Sequence, residues 1–159
     1  ETNAGRLTAG KAGLFACTPR AVMAILDHYK IPIDGKKAVI IGRSNVIGKP
    51  VSLMLLSKNA TVTICHSHTK DIASITREAD ILVAAVGHAN YVTADMVKEG
   101  ATVIDVGINR VDGKTMGDVD YDAVAAKAGA ITPVPGGVGS VTTTMVIENI
   151  IAAGEKLAK

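Results

Sequence analysis

Four short apolar runs limit what this chain can fold into. They are KAVII at 37–41, TVTIC at 61–65, DILVAAV at 80–86 and TVIDV at 102–106. Stretches with helical spacing separate them. Residues 47–57 carry Val51, Met54 and Leu55 on one side, and 71–78 turn Ile72 and Ile75 inward. Residues 93–98 read as a short helix, with Thr93 as N-cap and Asp95 well placed in the first turn. The run at 80–86 is continuously apolar, as expected of a strand covered on both faces. Strand and helix in alternation predict an α/β fold: a Rossmann-type, doubly wound parallel sheet with right-handed connections and helices on both faces. Further on, 121–127 reads as a helix and 130–132 as a short strand. Residues 141–156, with Met145, Ile147, Ile150 and Ile151, read as a long closing helix.

Ahead of the first strand, Thr18-Pro19 reads as an N-cap followed by Pro at the first helical position. It opens a helix to about residue 30, with Val22, Ile25, Leu26 and Tyr29 on the buried stripe. Such a leading helix stands outside a β-first core and suits a connector. The expected division is an inter-domain segment and connecting helix at 1–30 and a nucleotide-binding domain at 31–159.

At 159 residues the chain is long enough to bury a core without staples. A net charge of +2, no Lys/Arg block and only three Tyr, one Phe and no Trp argue against a nucleic-acid groove. No apolar stretch approaches the ~20 residues that span a bilayer. The start, ETNAGRLTAGKAG, is polar, unlike a signal peptide, and lacks an initiating Met, as a piece of something longer would. Cys17 and Cys65 form no CxxC, so free structural thiols in a reducing, cytoplasmic compartment are expected.

Three stretches carry chemistry. The first is IGRSNVIGKPV at 41–51, just past the first core strand. Ser44 stands where a G-x-G-x-x-G fingerprint has its second glycine, and five residues rather than four precede Gly48-Lys49, so it is not a P-loop either. A turn at that place can still offer backbone N–H groups and a helix N-terminus to an anion. Read as structure alone, Gly42 supplies a positive φ and Gly48 close packing. The second stretch is CHSHT at 65–69, where a site for NAD has Asp or Glu for the ribose. No carboxylate occurs until Asp71, while Ser67 and Arg43 suit a 2′-phosphate, which favours NADP. His66 and His68 would share a face if the strand continued, but they read as a polar rim, and no metal site is expected. The third stretch is ITPVPGGVGSVTTT at 131–144, where prolines stiffen and glycines open the backbone before the closing helix. Asp105, inside an apolar run, reads as a hydrogen-bonded structural carboxylate.

These stretches resemble the bifunctional methylenetetrahydrofolate dehydrogenase/cyclohydrolase family, in its C-terminal, NADP-binding part. CTPR at 17–20, VIIGRSNVIGKP at 39–50, VIDVGIN at 103–109 and above all TPVPGGVG at 132–139 carry the likeness. The resemblance implies oxidation of 5,10-methylenetetrahydrofolate with NADP, then hydrolysis to 10-formyltetrahydrofolate. It places Gly42, Arg43 and Ser44 on the cofactor loop, Ser67 beside the ribose phosphate, and Gly87 and Ile108 along the nicotinamide half. Gly137, Val138, Gly139 and Thr142 complete the cofactor set, and Pro135, Gly136 and Gly137 meet the folate. A homodimer is expected on the same ground. Ser140 departs from the family's usual Pro and Val141 from its frequent Met. The family's catalytic Tyr-x-x-x-Lys is not here, since Tyr29, Tyr91 and Tyr121 are followed at that spacing by Ile33, Asp95 and Ala125. The chain is therefore expected to hold cofactor, supply no catalytic residue and be inactive alone. The alternatives are a standalone nucleotide-binding or dimerisation module, and a two-domain dehydrogenase resembling shikimate dehydrogenase.

Overall fold

The inner strands of the sheet send alternate side chains to opposite layers, and both layers are apolar. In β1 (Lys37–Ile41), Ala38 and Ile40 enter one core and Val39 and Ile41 the other. In β3 (Ile81–Ala84), Ile81 and Val83 join the first core and Leu82 and Ala84 the second. The computed structural model describes residues 2–158. Glu1 and Lys159, the outer ends of the two expected segments, lie outside them.

With β2 (Thr61–Cys65), β4 (Thr102–Asp105) and β7 (Ala130–Ile131), these strands form a parallel five-stranded sheet in the order β2-β1-β3-β4-β7. Helices α2 (Cys17–His28), α3 (Gly48–Leu56) and α6 (Val138–Leu157) bring Ala21, Val22, Leu26, Val51, Leu55 and Met145 to the first core. Helices α4 (Ile72–Thr76) and α5 (Tyr121–Ala125), with a 3₁₀ turn at Ala94–Met96, cover the other face. The doubly wound α/β fold is the one expected. Among the described residues no helix is long and apolar enough to cross a membrane.

Several local readings change. The leading helix is packed into the core against α6 and α3. It begins at Cys17 with Ala16 in the cap position, so Thr18 caps nothing and Pro19 sits inside the first turn, where its missing N–H costs no helical bond. Tyr29 lies past the helix end and is 70% exposed. Thr93 does not cap the turn that follows; its hydroxyl donates to the Asp95 carboxylate instead. The closing helix starts at Val138, inside the Gly/Pro stretch, and leaves Val146, Ile147, Ile150 and Ile151 exposed. Two elements were not expected. One is α1 (Thr2–Thr8); the other is the hairpin of β5 (Asn109–Val111) and β6 (Lys114–Met116). The hairpin turns at Asp112-Gly113, both with positive φ (49° and 76°), the conformation that short hairpin loops favour.

Arg20 fastens the leading helix to the closing one. Its guanidinium donates to the Asn149 side chain and to Glu148, both at 2.6 Å. Asn149 in turn donates to the Phe15 carbonyl at 2.9 Å. A residue of the CTPR stretch thus serves helix packing.

Candidate functional site

In a sheet of this order the strand sequence reverses between β1 and β3, and the crevice lies beyond their carboxyl ends. The turn after β1 is drawn tightly into that crevice. Gly42 donates to the Cys65 carbonyl at 2.8 Å, and the Ala85 amide donates to the Ile41 carbonyl at 2.9 Å. Gly42 has φ +124°, and a Cβ there would strike the Ala85 carbonyl oxygen. Gly48 opens α3, and a Cβ on it would stand 2.7 Å from the Gly42 carbonyl carbon. Both glycines therefore answer to close backbone approach, and only Gly42 also to φ.

Ser44 plays a part the sequence did not suggest. Its Oγ accepts from the Ile47 and Gly48 amides at 3.0 and 3.4 Å, and its carbonyl accepts from Lys49 at 3.1 Å. The side chain thus closes the turn that leads into α3, leaving the hydroxyl proton free to donate. The amides of Arg43 and Ser44 donate to no group among the described residues, and both side chains are exposed. These are the donors that suit an anion at a helix N-terminus.

Ser67 lies exposed in a turn just past β2. His66 and His68 are in the same turn rather than on the strand, so the same-face argument does not hold; their rings meet edge-on at 6.0 Å. Among the described residues no three His, Cys, Asp or Glu stand where they would hold a metal. The Asp71 carboxylate is committed to capping α4, accepting from the Ser74 amide at 3.3 Å. Burial pushes the Cys65 thiol up from its ordinary value, as suits an inert thiol.

On the other side of the switch point, Gly87 is exposed with φ +69° and Ile108 is 68% exposed. A cavity of about 170 Å³ brings Ile108 together with Pro135, Gly136, Gly137 and Gly139, with Asp105 also in its lining. A Cβ on Gly139 would lie 3.8 Å from Ile108 Cδ1. Gly137 caps α6, where any side chain would meet the Pro133 carbonyl, and the Val134–Pro135 peptide is cis. Val138 differs from its neighbours: it is buried in the core, so only its backbone faces the crevice. Thr142 sits one turn into α6, its hydroxyl donating to the Val138 carbonyl at 2.8 Å.

Two buried carboxylates hold this half together. Asp105 accepts from the amides of Gly107, Asp118 and Val119, each at 2.9 Å. Burial pushes its carboxyl above the ordinary value and the neighbouring Asp118 adds to the rise, while the three amides pull it down. Asp118, fully buried, accepts from Val86 (2.6 Å), Gly87 (3.0 Å), His88 (3.0 Å) and the Asn109 side chain (2.9 Å). Gly107 and Gly117 have no side chain because these carboxylates fill the space one would need. The structural role expected of Asp105 is what the geometry shows. Asp118 was missed, and the Asp-Gly hairpin signal at 112–113 was the one clue to the fold-back that buries it.

The arrangement can hold a dinucleotide across the switch point. Comparison with known proteins agrees. The sequence pattern of "Tetrahydrofolate dehydrogenase/cyclohydrolase, NAD(P)-binding domain" matches residues 16–158. The chain is 60% identical over 157 residues to the bifunctional protein FolD of Burkholderia thailandensis, covering 98% of this chain and 55% of that protein. The chain thus spans about half the length of the curated relatives it matches. Among solved structures, the bifunctional enzyme FolD of Campylobacter jejuni superposes with a TM-score of 0.96 at 48% identity, over 98% of this chain and 56% of the other. A Trypanosoma brucei methylenetetrahydrofolate dehydrogenase-cyclohydrolase, solved with NADP and an inhibitor, gives 0.93 at 38% identity, over 99% and 57%. The chain belongs to the tetrahydrofolate dehydrogenase/cyclohydrolase family and is its NAD(P)-binding domain.

Proposed function

We propose that this chain is the NADP-binding half of an enzyme that oxidises 5,10-methylenetetrahydrofolate and hydrolyses the product to 10-formyltetrahydrofolate. The carrying observation is the pair of turns beyond β1 and β2. The first offers free amides and Arg43; the second offers Ser67 and no uncommitted carboxylate. That donor set suits a 2′-phosphate, which a carboxylate would repel.

When bound, NADP supplies the hydride acceptor. The chain's own residues bind and orient it. Gly42 lets the backbone approach, Ser44 holds phosphate, and Arg43 and Ser67 take the ribose phosphate. Gly87, Ile108, Gly137, the Val138 backbone, Gly139 and Thr142 form the nicotinamide side. Pro135, Gly136 and Gly137 present the wall that meets the folate. Residues 1–30 lead in from a partner domain, with their second helix packed into this core, and 31–159 bind cofactor. The proton-handling Tyr and Lys belong to a partner domain, so the chain alone turns over no substrate. The family likeness further supports a cytoplasmic homodimer.

Calorimetric titration of the 159-residue chain with NADP and with NAD tests the reading. Tighter binding of NADP is expected. Equal affinity for the two would remove the 2′-phosphate assignment, and turnover of 5,10-methylenetetrahydrofolate by the chain alone would remove the claim that it supplies no catalytic residue.

A further inference from the structure

The crevice has two halves, and they are built differently. The turn after β1 is shaped by its own glycines and by Ser44. The loops after β3 and β4 contain little that would fix them locally. Residues 85–89 form no regular element, and Gly87 has a positive φ. What fixes them is a residue far along the chain, behind the hairpin. All three amides from Val86 to His88 converge on the Asp118 carboxylate, and Asn109, where the β4 loop enters β5, donates to the same group. Asp118 is itself held from behind, because its amide donates to Asp105 Oδ1 and its carbonyl accepts from Val92. Bonds to a carboxylate are stronger than neutral ones, and a buried ionised group is retained only when its acceptor sites are filled.

Resting on the dinucleotide reading of the site, we propose that Asp118 is its positioning residue. Its carboxylate sets the β3 and β4 loops so that Gly87 and Ile108 meet the half of the dinucleotide remote from the adenosine. It touches no ligand and acts through the main chain it gathers. The adenosine half, built on β1 and β2, has no bond to Asp118; it meets the β3 loop at Ala85, which the ladder bond to Ile41 holds without Asp118.

Asp118→Asn keeps the shape but turns one acceptor oxygen into a donor facing backbone N–H groups. The test measures binding of NADP and of adenosine 2′,5′-bisphosphate, which lacks the nicotinamide half, to the wild-type and variant chains. NADP affinity should fall at least about tenfold while bisphosphate affinity stays within about twofold. Amide exchange at Val86, Gly87 and His88 should quicken. A folded variant that loses both ligands equally, or neither, overturns the proposal. Should Asp118→Asn not fold, Asn109→Ala decides: it removes one donor at a half-buried position and should show the same selective loss, smaller in size. Equal or no loss there overturns the proposal. A wild-type chain that binds neither ligand would defeat the dinucleotide reading itself, and the proposal with it.

Discussion

Gly48→Ala is the sharpest probe of how the crevice is made. Gly48 is buried, opens α3 and has no unusual φ, so the substitution introduces no backbone strain. Its Cβ would stand 2.7 Å from the Gly42 carbonyl carbon and 3.0 Å from Arg43 Cα. Carbon atoms pack at about 3.5–4.0 Å, so helix and turn must part by about 1 Å. The obstacle is main chain on both sides, with no flexible side chain to swing away. Overpacking of this kind costs about 1–3 kcal/mol, and the rigid neighbours put this case near 3. For a domain of this size that lowers Tm by roughly 6–12 °C. Two companion variants separate the causes. Gly5→Ala, in α1 with open space around it, should be neutral or stabilising by up to about 1 kcal/mol. Gly100→Ala, at φ +74° with open space, should cost about 1–2 kcal/mol from conformation alone. Urea unfolding of the three variants and the parent gives the ranking, and NADP titration should weaken for Gly48→Ala alone. If Gly48→Ala proves as stable as Gly5→Ala, the close approach of turn and helix is wrong, and the anion site argued from it loses its basis.

Further expectations are independent of that one. Arg43→Ala should weaken NADP roughly ten- to hundredfold and leave NAD nearly unchanged, because only NADP carries the extra phosphate; parallel titrations check it, and equal losses would refute the role. Arg20→Ala should cost about 1–2 kcal/mol in urea unfolding, since it unfastens α2 from α6, with the Glu148 contact discounted for exposure. The Lys98 ammonium, 2.6 Å from Asp80, is first among the causes holding that carboxyl below its ordinary value. Its contribution is therefore full above the ordinary carboxylate range and lost as pH falls through the lowered value. Lys98→Met should cost a few tenths to about 1 kcal/mol near neutrality and nothing in strong acid, as unfolding at the two pH values would read. A gap that persists in acid would point to lost packing instead.

The sheet was legible because its inner strands are buried on two faces. A strand such as ILVA at Ile81–Ala84 leaves no residue for solvent, and that continuity is visible in sequence. The β1 turn was legible too, since both Gly42 and Gly48 stand where main chain must meet main chain. The hairpin was not, because strands of three residues with exposed Arg110 and Lys114 carry no apolar pattern. The start of α6 was misplaced by three residues because glycines that usually end a helix here stand at its N-cap and in its first turn, where closeness to Pro133 and Ile108 governs. Asp118 was invisible for a deeper reason. Three of its four partners are backbone amides, which every residue has, so no sequence pattern marks them.

The strand order also has a consequence in time. β1 and β3 are neighbours in space but are separated in the chain by α3, β2 and α4, so the switch point exists only after a non-local pairing has formed. The opposite wall waits longer still, for β7 and the first turn of α6 near the end of the chain. A ligand spanning Gly42 to Gly139 thus finds its site only on a chain whose last helix is in place. Such a ligand adds its binding free energy to the finished fold and none to earlier species. Binding by this chain is at the same time a report that it has finished folding.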